Sequence, residues 1–367
     1  MDTKDTNSEF ISPETIPPSN TIVPPEFQIQ PADALITTLP DAQPDKKAKK
    51  PLTPLQESFQ RLRRDVRAMT SISVIILFIL IAIVGPPIYQ RIGSVYQSPI
   101  NGPVSASVYH GYSHQELSRT DEGPSAQFWL GTDSLGRDML ARLMQGMLIS
   151  ILVAIAVEII DIILGVTIGV LAGFYGGWLD QFLARFTDLM FAFPGLLFLI
   201  LLSSTLGPWA DDNLSKIPVL GGNGNARLLL ISLGLAFTVW PLMARYVRGL
   251  TLQLKEQQFI EAARTNGTSN VGIILRHIIP NLFSIVIIAS TLNIVNTIVG
   301  EAGLSVLNLG VKDPGSSIGL MIAAGTETID SHPWEILVPT LALAIIVVAF
   351  SFLGDGLRDA FDPRSKD

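Results

Sequence analysis

Three groups of side chains in this sequence have the types and spacing to do chemistry. Asp133, Arg137 and Asp138 lie together in Trp129–Asp138, WLGTDSLGRD, where two carboxylates and a guanidinium could serve as a catalytic set. Gly131 and Gly136, with Thr132 between them, instead call for a tight loop whose polar groups satisfy one another, so a structural ion-pair cluster is expected. Glu158 and Asp161 stand three apart inside an otherwise apolar run and so share one helix face. In lipid they would be expensive, and must face the bundle interior, a partner subunit or a water-filled path. Contact with a cationic substrate group and an interhelical hydrogen-bond pair, or a partly protonated one, both fit them. The third group is a polar island, Lys255–Asn281, KEQQFIEAARTNGTSNVGIILRHIIPN. Phe259, Ala262 and Ala263, with Lys255 and Glu256 one turn back, predict a short helix whose polar face carries Glu261 and Arg264. Gly267, followed by Thr268, Ser269 and Asn270, stops it, and a second helix carries Arg276 and His277 up to Pro280.

The apolar runs on either side are long enough to cross a bilayer, which puts this helix–Gly–helix elbow in water at one membrane face. There it could dock into another protein, or be an ordinary solvated loop. The composition agrees with a polytopic membrane protein: 367 residues, 48% hydrophobic, 16% charged and a mean hydropathy of +0.42. With no cysteine, disulfides, thiolate metal sites and a cysteine nucleophile are excluded. The net charge of −7 comes with no basic stripe and interleaved aromatics, so nucleic acid is not an expected partner. No GxxxxGK[ST] loop occurs, and no ATP site is expected on this chain.

An all-α membrane protein with six spans is expected: about Met69–Tyr89, Met147–Phe174, Leu189–Leu206, Leu228–Val247, Leu282–Gly300 and Ile336–Leu353. Residues 1–55 form a Pro-rich tail expected to be disordered and not a signal peptide; 56–90 hold a basic lead-in and the first span. An outer loop over 91–145 precedes a core over 146–357 with its polar loop at 250–281, and 358–367 form a C-terminal tail. Residues 301–335 are expected to fold back as short helices against the bundle. Arginines and lysines gather before span one, between spans four and five and after span six, which places both termini and the elbow on the cytoplasmic side.

Glu261-Ala262-Ala263, Gly267 and Ile278-Ile279-Pro280 resemble the EAA signature of ABC-importer permeases, and RHIIPN is similar to the dipeptide/oligopeptide/nickel branch. The LGTDSLGRD segment, the stretches GFYGGWLD and DLMFAFP, and Gly300–Val311 resemble the same family in the same order. Val306, Asn308 and Ile318 depart from it where an aromatic, a glycine and a tryptophan are usual. The resemblance implies a C-type permease subunit in the cytoplasmic membrane of a prokaryote. Such a subunit pairs with a homologous permease, two ATPase subunits that hold ATP and magnesium, and an external substrate-binding protein. No cofactor on this chain and no enzymatic activity of its own are implied. Dipeptides, oligopeptides, nickel chelates and other small solutes all fit as cargo. Glu261, Ala262, Ala263, Arg264, Gly267 and Pro280 would couple to the ATPase, and Gly131, Thr132, Asp133, Gly136, Arg137 and Asp138 would hold the outer loop. A stand-alone secondary transporter or channel is the alternative that Glu158 and Asp161 suggest, and a membrane-anchored scaffold a second.

Overall fold

The computed structural model describes residues 54–214 and 226–361. Almost all of the expected N-terminal tail, and the C-terminal tail from residue 362, lie outside the described residues. In chain order come α1 (Pro54–Arg64), α2 (Val66–Tyr89), the antiparallel pair β1 (Tyr96–Ser98) and β2 (Gly102–Val104), and the single turn α3 (Ala106–Tyr109). Then follow α4 (Met139–Tyr175), α5 (Gly177–Ala192), α6 (Gly195–Asn213), α7 (Ala226–Leu254) and α8 (Gln258–Thr265). The chain closes with α9 (Asn270–Ile273), a π turn (Ile274–Ile278), α10 (Ile279–Val306), α11 (Ile318–Glu327) and α12 (Trp334–Phe361). Among the described residues, five helical stretches are long and apolar enough to cross a membrane, and α5 with α6 makes a sixth if the bent pair counts as one span.

The boundaries differ from the sequence expectation where a local polar group finds a partner or loses one. α4 begins at Met139, not Met147, so the outer loop ends at Asp138 rather than near 145. Arg142, read as wet, is 2% exposed because Asp133 and Asp313 lie 3.5 and 3.6 Å from its guanidinium. Asp138 caps this helix: its Oδ1 accepts from the Leu140 and Ala141 amides at 2.9 and 3.2 Å. At 37 residues, α4 spans about 55 Å at 1.5 Å per residue, well beyond a hydrocarbon core.

The third expected span is not one helix. α5 and α6 meet at 76°, with Phe193 and Pro194 extended between them. A proline disfavours helical geometry in the residue before it, and Pro194 therefore marks a break rather than the first turns of a span. The opposite happens at Pro280. There the helix passes through without stopping, because the π turn widens just before the proline and absorbs its missing amide. The fifth span thus runs continuously from Asn270 to Val306 and past Gly300. The expected fold-back of 301–335 is present as α11.

Packing sorts the elements into two ends. Leu62 of α1, Ala68 of α2 and Ala360 of α12 share one small core, and α8 lies at that same end against the last turn of α4. At the other end Tyr89 closes α2 against Ala141 and Met144 of α4, beneath the 90–138 loop. Between the ends, α4 and α7 approach most closely along Gly165, Gly169 and Gly173. A Cβ there would stand 2.6 Å from Met243 Cβ, 2.6 Å from the Ala244 carbonyl oxygen and 2.7 Å from Thr251 Cβ. Small residues at four-residue spacing let two membrane helices bring their backbones together, and dispersion between them replaces a hydrophobic driving force that lipid does not supply.

Candidate functional site

α7 runs to Leu254, and Lys255–Gln257 form a turn before α8. The short helix has one apolar edge, Ile260 and Ala263, which is buried against Val170 and Phe174 of α4, Val247 of α7, and Ile273, Ile278 and Leu282 beyond the elbow. Burying Ile260 alone stabilises this seat by about 1.5–3 kcal/mol. Arg264 lies over the Phe174 ring at 5.6 Å, and the Phe259 and His277 rings stand 6.4 Å apart.

The end of α8 is closed by a Schellman motif. The Thr268 amide donates to the Ala263 carbonyl at 3.0 Å and the Gly267 amide to the Arg264 carbonyl at 2.9 Å, with Gly267 at φ +76°. A Cβ on Gly267 would meet nothing within 4 Å, so what requires glycine there is backbone conformation and not space. Ser269 then caps the next helix, its Oγ accepting from the Gly272 amide at 3.2 Å. Of the residues singled out in the sequence, Glu261, Ala262, Arg264, Gly267 and Pro280 are exposed, whereas Ala263 turns inward. Ala263 therefore seats α8 on its own bundle and does not form part of the outward surface.

At the opposite end WLGTDSLGRD folds into a hydrogen-bonded knot that draws in partners from other segments. Asp133 accepts from the Leu135 and Arg137 amides at 3.0 Å and from Arg137 Nε at 2.7 Å, and Arg137 also pairs with Asp313. Thr132 Oγ1 donates to the Arg119 carbonyl at 2.5 Å and accepts from the Glu122 amide at 2.9 Å. Gly131 and Gly136 sit at φ +81° and +68°, each where a Cβ would collide with a backbone carbonyl oxygen, of Glu122 and Glu116 respectively. Asp138 does not join Arg137. It caps α4 and holds His110 Nδ1 at 2.6 Å, a partner 28 residues upstream with no signal in the sequence pattern. Glu116, buried nearby, is pushed up by burial, but Ser118, Ser98 and Asn101 hydrogen bonds outweigh this and hold it below the usual carboxylate range.

Within the bundle, Glu158 and Asp161 face α10. Asp161 Oδ2 accepts from Asn293 Nδ2 at 2.8 Å, an interhelical hydrogen bond, while Ser290 faces Glu158 without closing a well-formed one. Sequence reasoning missed a third acid, Glu301. It is fully buried, accepting from Ser150 Oγ at 2.9 Å and Ser305 Oγ at 2.8 Å, with Ser317 bonded in turn to Ser305. The signal available was a glutamate directly after an apolar run amid serines spaced to reach it.

Comparison with known proteins agrees with this architecture. Residues 165–367 match the family described as binding-protein-dependent transport system inner membrane component, and residues 53–99 match the N-terminal TM domain of oligopeptide transport permease C. The dipeptide transport system permease protein DppC of Alkalihalophilus pseudofirmus is 32% identical over 91% of this chain and 98% of its own length. The glutathione transport system permease protein GsiD of Shigella flexneri is 37% identical over 91% of this chain and 97% of its own. An inward-facing structure of the MetNI methionine ABC transporter aligns with 60% of this chain and 97% of the solved one, at 18% identity and a TM-score of 0.47, a likeness too loose to carry any argument.

Proposed function

Because the chain belongs to the inner-membrane components of binding-protein-dependent transport systems, in the dipeptide/oligopeptide/nickel branch, we propose that it carries peptides and that α8 is where ATP-driven movement enters it. It is a multi-pass permease subunit of an ABC importer, a class that works with ATPase subunits and a substrate-binding protein. That membership sets aside a stand-alone channel and a scaffold. On our reading the second permease is a homologous chain, and ATP and magnesium reside on the ATPases. The elbow end of the bundle is then cytoplasmic in a prokaryotic inner membrane, with both termini on that side and substrate arriving at the knot end. The arginines of α1 and of the α7–α10 connection support this orientation.

One observation carries the coupling assignment. α8 is a two-sided helix, seated on its own bundle by Ile260 and Ala263 while Glu261, Ala262, Arg264 and the Gly267 stop remain exposed. Such a helix can lie in a groove of an ATPase and pass a push directly to α4, α7 and α10. Peptide cargo is supported by the dipeptide and glutathione relatives. Glu158, with its carboxylate uncommitted, is our candidate for the translocation path, and Asp161 supports the α4–α10 contact.

The test uses Glu261→Arg and Gly267→Leu in the assembled transporter. The second change strains a left-handed residue by about 1–2 kcal/mol, while its Cβ meets nothing within 4 Å. Both variants should insert and fold, yet lose substrate-stimulated ATP hydrolysis and release the ATPases on purification. Asn266→Cys should react with an impermeant maleimide only after cells are opened. Full transport with the ATPases retained in both variants would refute the coupling role.

A further inference from the structure

We propose that Asp121, His332 and Glu335 form a binding site for a divalent transition metal of the zinc class, which clamps the 90–138 loop to the start of α12. Each of the three offers a ligand atom, and these atoms lie within 4.8 Å of one another, the one such grouping of His and carboxylate ligands among the described residues. They come from separate stretches: Asp121 from the loop, His332 from the turn after α11, and Glu335 from the first turn of α12.

Burial makes the cluster more than a group of surface acids. Glu335 is only 3% exposed, because Gly325 of α11 packs against its backbone; a Cβ on Gly325 would stand 2.7 Å from the Glu335 carbonyl carbon. Its Oε2 accepts from Thr328 Oγ1 at 2.8 Å, but its Oε1 is buried with no protein partner. Asp121 Oδ1 is likewise buried and unpartnered. Two carboxylates that face each other with a free oxygen apiece need either a shared proton or a cation between them. The imidazole favours the cation. Trp334 packs edge-on against the His332 ring at 5.1 Å, and Ser331 Oγ stands 3.0 Å from its Nδ1, contacts that orient the ring as outer-shell partners do in metal sites.

The donor set names the class of metal. Two carboxylates and one imidazole suit zinc, manganese or nickel, whereas calcium takes six to eight oxygens. Zinc bonds of about 2.0–2.2 Å place ligand atoms about 3.4 Å apart in tetrahedral geometry, so modest side-chain rotation closes the site. Asp121 and His332 are half-buried, which leaves room for water in the fourth position.

The experiment uses the full chain, purified in detergent with its copurifying partners, its affinity tag removed, stripped with EDTA and then titrated with zinc alone. His332→Ala removes a half-buried ligand. Asp121→Asn is the companion variant, because Asp121 holds φ +53° and asparagine tolerates that conformation equally well. The wild type should bind one more zinc per chain than either variant and show a zinc-dependent rise in its unfolding temperature, with affinity at this site lost at least tenfold in both. Equal zinc stoichiometry and equal thermal response in wild type and variants would overturn the site and leave a shared proton between Asp121 and Glu335.

Discussion

The glycine seam between α4 and α7 makes a quantitative claim. A Cβ on Gly169 would lie 2.6 Å from the Ala244 carbonyl oxygen and 2.7 Å from Val247 Cβ, and ordinary contact begins near 3.4 Å. Backbone cannot swing aside like a side-chain tip, so Gly169→Ala must spread the two helices by several tenths of an ångström or bend one. Overpacking of that kind costs about 1–3 kcal/mol. Replacing glycine by alanine inside a helix returns about 0.5–1 kcal/mol, so the net change should be a destabilisation of about 0–2.5 kcal/mol. Gly249, in α7 itself, supplies the control, since a Cβ there meets nothing within 4 Å. Gly249→Ala should gain the propensity term alone and stabilise by about 0.5–1 kcal/mol. The assay is thermal unfolding of both variants in the same detergent, followed by size-exclusion chromatography. Gly169→Ala unfolding as late as Gly249→Ala would refute the claim that backbone contact holds this seam.

Glu116 predicts an acid limb. Its folded-state affinity for protons is depressed, so its contribution is fully present above the ordinary carboxylate pKa and is lost as pH falls through the lowered value. Glu116→Gln should flatten the decline of unfolding temperature between about pH 5 and pH 3; an unchanged slope would show that other groups set it. In the bundle, Asp161→Asn should leave transport nearly unchanged, since an asparagine oxygen can still accept from Asn293. Glu158→Gln should reduce uptake of cationic peptides more than neutral ones, and equal effects on both would remove Glu158 from the path.

The sequence exposes what depends on neighbours in the chain and hides what depends on distant ones. The elbow was legible because Gly267 and Ser269 act within a few residues, through a Schellman closure and a cap. The Asp133–Arg137 pair was legible for the same reason, being four residues apart within one tight loop. Asp313 completes that knot from 176 residues away, and Arg142 was read as solvated because its counter-charges were out of sight. The two prolines show the limit most clearly. Pro194 breaks a span and Pro280 does not, although each begins an apolar run. The difference is the π turn ahead of Pro280, which holds the helix through Ile278, a side chain buried against α8 and α4. A tertiary contact thus decides what the proline alone leaves open.

These contacts also constrain how movement at α8 could travel. Ile260 and Ala263 share one core with Phe174 at the end of α4, and the C-terminal part of α4 is fastened to α7 by the glycine seam from Gly165 to Gly173. At its far end α4 is fastened again, through Arg142 to Asp313 and through Ser316 Oγ, which donates to the Arg142 carbonyl at 2.9 Å. A push on α8 therefore cannot bend α4 locally without opening backbone contacts, so α4 and α7 must move as one body. The Phe193–Pro194 bend separates α5, tied to α7 by the Asp180–Arg248 and Asp188–Arg245 pairs, from α6. The α4–α7 pair carries α5 with it through these ion pairs and carries α6 as well, since Arg227 of α7 pairs with Asp211 of α6 at 2.6 Å and the Phe198 and Phe237 rings stack at 4.7 Å. On the proposed coupling, this makes the switch a rigid-body rocking of α4, α5, α6, α7 and α8 together.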